Sequence, residues 1–330
     1  ATNASGSCGL KYGRTLDWLR GLRIVDGTGR ALVARNPRIG KTCAGYAALY
    51  RPTHIFAGSE GTLGVISRIE LALAPPPPDF FLAMAFFEQM GKALDFVIEA
   101  RGDPRLSPRS MEFLDGPCLE ILRPKAEGVN LPREADVMVY FEQEYRTEKE
   151  KETYLEAWFA LIERHTRLSQ DTQVAASPAQ RRHLLALRHH VPEKMNEEST
   201  RAVRGGGCKI STDWAVPYDR LRELFAFFDT LRDRLEGMLI CRFGHIGEGH
   251  PHFNFIAKDS DERRRAEEVD YLMAKKSVAL GGTVAGEHGI GKLKREHLRL
   301  QCDEFAIRSM KALKRVFDPK GILAPGNIFS

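Results

Sequence analysis

Three histidines lie within the stretch CRFGHIGEGHPHFNF, residues 241–255. Its glycines and its proline predict a turn between two extended segments. In an extended second segment His250, His252 and Asn254 share one face, because side chains alternate along a strand. Spacing alone therefore nominates His250 and His252 as ligands of a divalent metal, completed by a distant carboxylate, and zinc favours such a set. Ordinary loop histidines are the competing interpretation.

Two further glycine-rich stretches contain residues with chemical potential. FAGSEGTLGVIS, residues 56–67, has three glycines whose backbone N–H groups can form an anion-binding nest suited to a pyrophosphate. A tight turn is the competing interpretation, and the stretch matches neither the dinucleotide-binding nor the P-loop pattern. GEHGIGK, residues 286–292, sets Glu287 beside His288, which would place a metal ligand next to a base.

The elements that position these stretches change character along the chain. Residues 1–78 are glycine-rich and predict short strands joined by turns, including a hairpin at Asp26-Gly27. Four prolines at 75–78 predict a stiff spacer and a domain boundary. Beyond them strand-like and amphipathic helical segments alternate, which predicts an α+β domain with an antiparallel sheet covered by helices.

Composition excludes several classes of protein. The 330 residues suit about two domains, and 49 basic against 44 acidic residues leave a net charge of only +5. Acids interleave the densest basic run, so no nucleic-acid partner is expected. Without a membrane-spanning apolar run, a secretion signal or a C-x-x-C pair, the sequence predicts a cytoplasmic protein with free thiols and no iron–sulfur cluster of its own.

Together with ATNASGSCGLKYGRTLDWLRGLRIV at the start and VFDPKGILAPGNI at the end, these motifs resemble FAD-linked oxidoreductases of the vanillyl-alcohol oxidase type. The similarity is to the D-2-hydroxyacid dehydrogenase branch, which includes D-2-hydroxyglutarate and D-lactate dehydrogenases and the flavin subunit of glycolate oxidase. RSMEFLDGPCLEILRP, YFEQE and VPEKMNE resemble a subgroup found in fusions of flavin and iron–sulfur domains.

The resemblance implies three parts. Residues 1–78 correspond to the back half of a PCMH-type FAD-binding domain, 79–315 to a ferredoxin-like substrate or cap domain of the FAD-linked oxidase C-terminal type, and 316–330 to a return to the FAD site. In the family a glycine-rich pyrophosphate loop comes before the position of residue 1. The chain is therefore expected to be a fragment, or to need another chain to complete its flavin site.

The resemblance also implies roles for individual residues. The family pattern G-H-x-G-[DE]-x-x-x-H makes His245 and His252 metal ligands with Glu287 as the third, and leaves His250 outside the set. His288 corresponds to the catalytic base. The residues that correspond to the FAD site are Thr2, Asn3, Ala4, Gly6, Gly9, Gly58, Ser59, Glu60, Gly61, Gly64, Val65, Ile66 and Asn327.

The substrate site is the third group that the resemblance implies. Arg188 and Lys209 correspond to residues that hold substrate carboxylates, and we count Asn254 with them. Pro192 stands where the family usually has a polar residue, four positions after the arginine, which puts the distal-carboxylate pocket in question.

The implied activity is oxidation of a D-2-hydroxy acid to a 2-oxo acid, with FAD and a divalent metal, zinc being favoured. Electrons would leave to an iron–sulfur protein or domain, or to a quinone. A homodimer, and a peripheral association with a membrane through a partner, are compatible with this interpretation. Two rival functions stay open: a metal-dependent hydrolase, in which the same ligands activate water, and a non-catalytic scaffold that lacks a complete flavin site.

Overall fold

The computed structural model describes residues 1–41, 43, 45, 46 and 49–329. The strands are β1 (Leu19–Val25), β2 (Ala31–Arg35), β3 (Val65–Leu71), β4 (Asp79–Phe87), β5 (Pro108–Asp115), β6 (Val137–Tyr145), β7 (Gln173–Ala175), β8 (Cys208–Ser211), β9 (Leu239–His245) and β10 (His250–Ala257). The helices are α1 (Gly9–Tyr12), α2 (Thr15–Trp18), α3 (Met90–Gly102), α4 (Gly116–Leu122), α5 (Glu148–His165), α6 (Pro178–Arg188), α7 (His190–Arg204), α8 (Leu221–Asp229), α9 (Ser260–Ala279), α10 (Arg295–Gln301) and α11 (Glu304–Phe317).

The chain divides into two compact units. Unit 1 consists of Ala1–Gly6, Gly13–Pro76 and Val284–Ser330, and unit 2 of Ser7–Tyr12 and Pro77–Thr283. The chain passes from unit 1 to unit 2 within the run of four prolines. It returns to unit 1 at Val284, which comes earlier in the chain than the boundary at 315 that the resemblance implies. Within the described residues no helix is both long and apolar enough to cross a membrane.

Unit 1 is built on an antiparallel sheet in the order β2-β1-β3. The β1–β2 hairpin confirms the prediction at Asp26, whose Oδ1 accepts hydrogen bonds from the N–H groups of Thr28 at 2.9 Å and Arg30 at 3.0 Å. One face of the sheet packs against α11, and the rings of Phe56 and Phe317 meet edge to face 5.2 Å apart.

Unit 2 contains a seven-stranded sheet in the order β7-β4-β6-β5-β9-β10-β8, with every pair antiparallel. This confirms the predicted α+β class. An aromatic core lies on one face, where Phe141 stacks on Trp158 of α5 at 3.8 Å and Phe253 meets Phe228 of α8 edge to face at 4.6 Å. The opposite face packs against α4, α6 and α7.

That second face is only partly apolar. Leu114 on β5, Tyr140 on β6 and Ile256 on β10 are buried against α4, α6 and α7 and therefore lie on this face. Because side chains alternate along a strand, every second residue from these positions lies on the same face. Two positions before Leu114 stands Glu112, and two before Ile256 stands Asn254, both buried. The face therefore changes from apolar to polar along its strands, and the polar part contains the candidate site.

Glu60 joins three segments of unit 1 that are distant in sequence. Its carboxylate accepts hydrogen bonds from the N–H groups of Ile290 and Gly291, each at 2.7 Å. Its carbonyl accepts from Nδ2 of Asn327 at 3.3 Å, and its N–H donates to the carbonyl of Ala1 at 3.2 Å. These bonds explain why the chain from Val284 onwards belongs to unit 1.

We expect Glu60→Ala to lower the free energy of unfolding by about 3 kcal/mol or more, because each of the two hydrogen bonds to this charged group typically contributes about 1.5–3 kcal/mol. Urea denaturation measures the change. Glu70→Ala is the control, since Glu70 forms a half-exposed ion pair with Arg35 and its removal should change stability by less than about 1 kcal/mol. Equal effects of the two substitutions would contradict the role of Glu60.

Candidate metal and substrate site

The three histidines of the first motif meet where β9 turns into β10. Gly249, in the left-handed conformation at φ 71°, precedes β10 and returns the chain so that His250 lies directly opposite His245. His252 lies two residues further on the same face. One ring nitrogen from each of the three imidazoles lies within 4.8 Å of the others. The turn thus gathers three nitrogen donors on adjacent strands.

Each imidazole has an oxygen neighbour. Nδ1 of His245 is 2.5 Å from Oε1 of Glu112, and Nδ1 of His252 is 3.2 Å from the carbonyl oxygen of Thr212. Nε2 of His250 lies 3.2 Å from Oδ1 of the buried Asp213 but outside hydrogen-bonding geometry. Such acceptors behind imidazole rings are typical of metal sites, where they fix the ring orientation.

The donor set suits a divalent metal of the zinc type, because imidazole nitrogens are preferred zinc ligands. The buried Nε2 of His250 makes no hydrogen bond within the described residues, although Oδ1 of Asp213 lies 3.2 Å away. Although the family pattern leaves His250 outside the set, the structure brings it into the cluster beside His245 and His252. Spacing alone had placed His250 and His252 on one face, and they share it.

Glu287 and His288 lie in unit 1, on the loop after Thr283. Oε1 of Glu287 accepts a hydrogen bond from the hydroxyl of Ser5 at 3.3 Å. Nε2 of His288 lies 3.8 Å from Oε2 of Glu287, and its side chain is largely exposed. Glu287 and His288 therefore place a carboxylate and an imidazole side by side, as expected from GEHGIGK. The hydrogen bonds of Glu60 hold the loop that carries them.

The expected substrate residues lie in unit 2. Arg188 ends α6 and donates to the hydroxyl of Tyr140 at 2.6 Å. Lys209 of β8 donates from Nζ to Oδ1 of Asn196 at 2.7 Å. Lys209 lies opposite Ile256, and Asn254 opposite Ser211, so both share the sheet face of His252. Two cationic side chains therefore belong to the same side of the sheet as the imidazoles.

Burial changes the electrostatics of these residues. Burial acts to lower the pKa of Arg188, but its interactions with Tyr140 and with the Glu112 carboxylate raise it above the ordinary value. Burial alone lowers the pKa of Lys209. Asn254 accepts from the hydroxyl of Ser211 at 2.6 Å, while its buried Nδ2 has no hydrogen-bond partner in the described chain. That amide is suited to donate to a substrate oxygen.

The expected FAD residues concentrate in unit 1, apart from Gly9, which opens α1 in unit 2. Gly58, Glu60 and Gly61 all have positive φ, so this stretch turns sharply and exposes its backbone. The hydroxyl of Ser59, however, donates to the carbonyl of Phe56 at 2.8 Å. Oδ1 of Asn3 accepts from the N–H of Leu16 at 2.9 Å. Several of these side chains therefore support the backbone conformation.

Sequence reasoning missed Glu112, Tyr140 and Asp213. The available signal was an acidic residue inside the strand-like run SMEFLD, where a buried charge is unfavourable unless it has a partner. The sequence around Glu112 does not indicate its partner, because His245 is 133 residues away in the chain.

Comparison with known proteins identifies the fold. The family model described as FAD linked oxidases, C-terminal domain, matches residues 77–328, well over half of the chain. The chain belongs to this family. The resemblance to FAD-linked oxidoreductases of the vanillyl-alcohol oxidase type is thereby confirmed.

Individual relatives are similar over almost the whole chain. Glycolate oxidase subunit GlcD of Bacillus subtilis (strain 168) is 31% identical over 337 residues, covering 99% of this chain and 66% of that protein. D-2-hydroxyglutarate dehydrogenase of Xanthomonas citri pv. viticola is 28% identical over 335 residues, covering 100% of this chain and 67% of its own length. The chain thus spans about two thirds of the length of these relatives.

Among solved structures, 4-ethylphenol oxidase from Gulosibacter chungangensis aligns with a TM-score of 0.65 at 15% identity, covering 99% of this chain and 68% of that one. An alkyldihydroxyacetonephosphate synthase aligns with a TM-score of 0.61 at 17% identity, covering 98% and 56%. At this level of identity the likeness concerns the fold alone.

We expect Gly249→Ala to destabilise the histidine turn severely. A Cβ there would lie 1.9 Å from the carbonyl oxygen of Val216, in a left-handed conformation that alanine disfavours by about 1–2 kcal/mol. Gly206→Ala is the matched control, since Gly206 is also left-handed but a Cβ there meets nothing within 4 Å. Urea denaturation of both variants should show a clearly larger loss for Gly249→Ala, and equal losses would argue against the packed turn.

Proposed function

We propose that the protein takes part in FAD-dependent oxidation of a D-2-hydroxy acid to the corresponding 2-oxo acid. The observation that carries the proposal is the shared sheet face in unit 2, which presents the imidazoles of His245 and His252 together with the cationic side chain of Lys209. A 2-hydroxy acid has a hydroxyl group suited to a metal and a carboxylate suited to a cation. Membership of the FAD-linked oxidases supports the flavin as the electron acceptor.

In this proposal His245, His252 and Glu287 hold a divalent metal, and Glu287 enters the set through the resemblance. When bound, the metal would supply Lewis acidity towards the substrate hydroxyl, and FAD would accept the hydride. The third imidazole, His250, is available as an additional nitrogen donor. The residues that correspond to the FAD site in unit 1 include the glycine turn at Gly58–Gly64, whose backbone N–H groups suit a pyrophosphate.

The chain's own side chains bind the substrate and move its proton. Arg188 and Lys209 pair with carboxylate oxygens, which fixes the position of the carbon that loses its hydride. The Nδ2 of Asn254 donates to a substrate oxygen. Nε2 of His288 takes the hydroxyl proton as general base, a role for which histidine is well suited at neutral pH. The proton of the substrate hydroxyl thus leaves through the protein.

The direct test uses the complete protein that contains this chain. Its flavin is read from the visible spectrum, and dye reduction is measured with D-2-hydroxyglutarate, D-lactate and glycolate. His288→Ala should lower kcat about 10²–10⁴-fold, the usual contribution of a general base. His183→Ala, at a largely exposed histidine that contacts only the Glu127 carbonyl among the described hydrogen bonds, should leave kcat unchanged. An unchanged rate in His288→Ala would remove it as the base.

A metal-dependent hydrolase is the second candidate, because three clustered imidazoles also suit a water-activating zinc site. A complete protein that binds zinc, lacks a flavin spectrum and reduces no dye with the three acids would favour the hydrolase. Bound flavin together with substrate-dependent dye reduction would exclude it. Flavin without substrate-dependent reduction would favour the scaffold interpretation.

The proposed role of Lys209 predicts a pH dependence. Because burial lowers its pKa, Lys209 loses its positive charge at a lower pH than an exposed lysine. The KM for the best of the three acids should therefore already rise as the pH approaches, from below, the ordinary lysine pKa of about 10.4. Lys209→Arg should remove most of this rise, because a guanidinium stays protonated throughout the range. The same rise in Lys209→Arg would show that another group titrates.

A further inference from the structure

The polar part of the sheet face contains a buried carboxylate for which the proposed reaction has no use. Glu112 lies near the middle of β5, between Met111 and Phe113, and only 2% of it is exposed. A charge in such a position is strongly unfavourable unless partners compensate it. The contacts of Glu112 therefore indicate what it does.

Its nearest partner is a proposed metal ligand. Oε1 of Glu112 lies 2.5 Å from Nδ1 of His245, and both side chains are buried. An imidazole that donates its Nδ1 proton to a carboxylate presents Nε2, with its lone pair, on the far side of the ring. The hydrogen bond thus selects both the tautomer and the orientation of His245.

On the neighbouring strand, Glu112 faces the residue that contacts the proposed substrate arginine. Tyr140 lies directly opposite Glu112 on β6, and the Tyr140 hydroxyl accepts from Nη1 of Arg188 at 2.6 Å. A negative charge at Glu112 favours the buried guanidinium of Arg188 nearby. The row His245, Glu112, Tyr140 and Arg188 therefore runs from the proposed metal ligand to the proposed carboxylate-binding side chain.

We propose that Glu112 is the positioning residue of this site, fixing His245 for metal binding and, from the strand next to Tyr140, supporting the buried Arg188 by its negative charge. This inference rests on the proposed function, because it assumes that His245 ligates a metal and that Arg188 binds substrate. Other buried carboxylates of unit 2 have different surroundings. Asp213 approaches His250 without hydrogen-bonding geometry, and Asp270 accepts from Nε1 of Trp214 at 3.0 Å.

The test measures metal binding in the complete protein after chelation, with Co²⁺ as the probe and its visible absorption as the signal. Glu112→Gln keeps the shape of the side chain but removes the charge, and should weaken Co²⁺ binding about 10–100-fold, as is usual when the partner of a ligating histidine is lost. Asp270→Asn, an equally conservative change at a buried carboxylate that accepts a hydrogen bond from Nε1 of Trp214, should leave Co²⁺ binding unchanged.

A second variant separates the two roles of Glu112. Tyr140→Phe removes the hydroxyl that Arg188 contacts and leaves the contact between Glu112 and His245 intact. Co²⁺ affinity should stay at the wild-type value, while the KM for the best hydroxy acid rises and kcat changes little. In Glu112→Gln both the Co²⁺ affinity and the KM should change. Unchanged KM in both variants would overturn the link to Arg188.

A metal-free signal tests the hydrogen bond itself. The Nδ1 proton of His245, held by a buried carboxylate, should give a strongly downfield imidazole resonance in the proton NMR spectrum of the chelated protein. The resonance should be lost in Glu112→Gln and present in Asp270→Asn, with thermal unfolding confirming that both variants are folded.

The outcomes distinguish this inference from the proposed function. If the wild type binds Co²⁺, His252→Ala does not, and Glu112→Gln binds as tightly as the wild type, the positioning role is overturned while the metal site stands. If the wild type itself does not bind Co²⁺, both are overturned. Weaker binding in Glu112→Gln together with loss of its downfield resonance supports the positioning role.

Discussion

The antiparallel register of β9 and β10 determines which side chains of unit 2 can act together. It places His250 opposite His245 and His252 opposite Phe243, so that three imidazoles occupy one face. Because side chains alternate with a period of two, a slip of one residue would send His250, His252 and Asn254 into the aromatic core on the other face. The left-handed Gly249 sets this register, since its close approach to the carbonyl of Val216 leaves no space for a side chain.

The same register explains how polar groups are accommodated in a sheet covered on both faces. Buried charges are tolerated where each meets an opposite charge or a hydrogen-bonding partner. Glu112 meets His245, Arg188 meets Tyr140, and Glu142 on β6 accepts from Nε of Arg109 at 2.5 Å. The polar groups of this face are thus arranged as pairs, two between neighbouring strands and one between β6 and α6, and removal of one member would leave the other buried without compensation.

The sequence predicts the features that depend on local chemistry. The hairpin at Asp26 and the α+β alternation of unit 2 are confirmed because turn residues and side-chain periodicity act over a few positions. The partner of His245 and the place of the last segment depend instead on contacts between distant residues, such as those of Glu112 and Glu60. His250 shows the difference most clearly. Its place on the face of His252 follows from the strand period, whereas its approach to His245 depends on how the glycine turn closes.

Glu60 illustrates how a residue expected at a cofactor can have a structural role. Both of its carboxylate oxygens accept backbone N–H groups of the loop that carries Glu287 and His288. A Cβ at Gly289 would lie 2.5 Å from Oε1 of Glu60, so the loop packs directly against that carboxylate. Histidines on strands are held by the sheet, whereas the proposed base His288 lies on a loop, and these hydrogen bonds hold that loop in position. The positive φ of Glu60 also turns the chain within the glycine-rich stretch, so this one residue combines a sharp turn with the support of a distant loop.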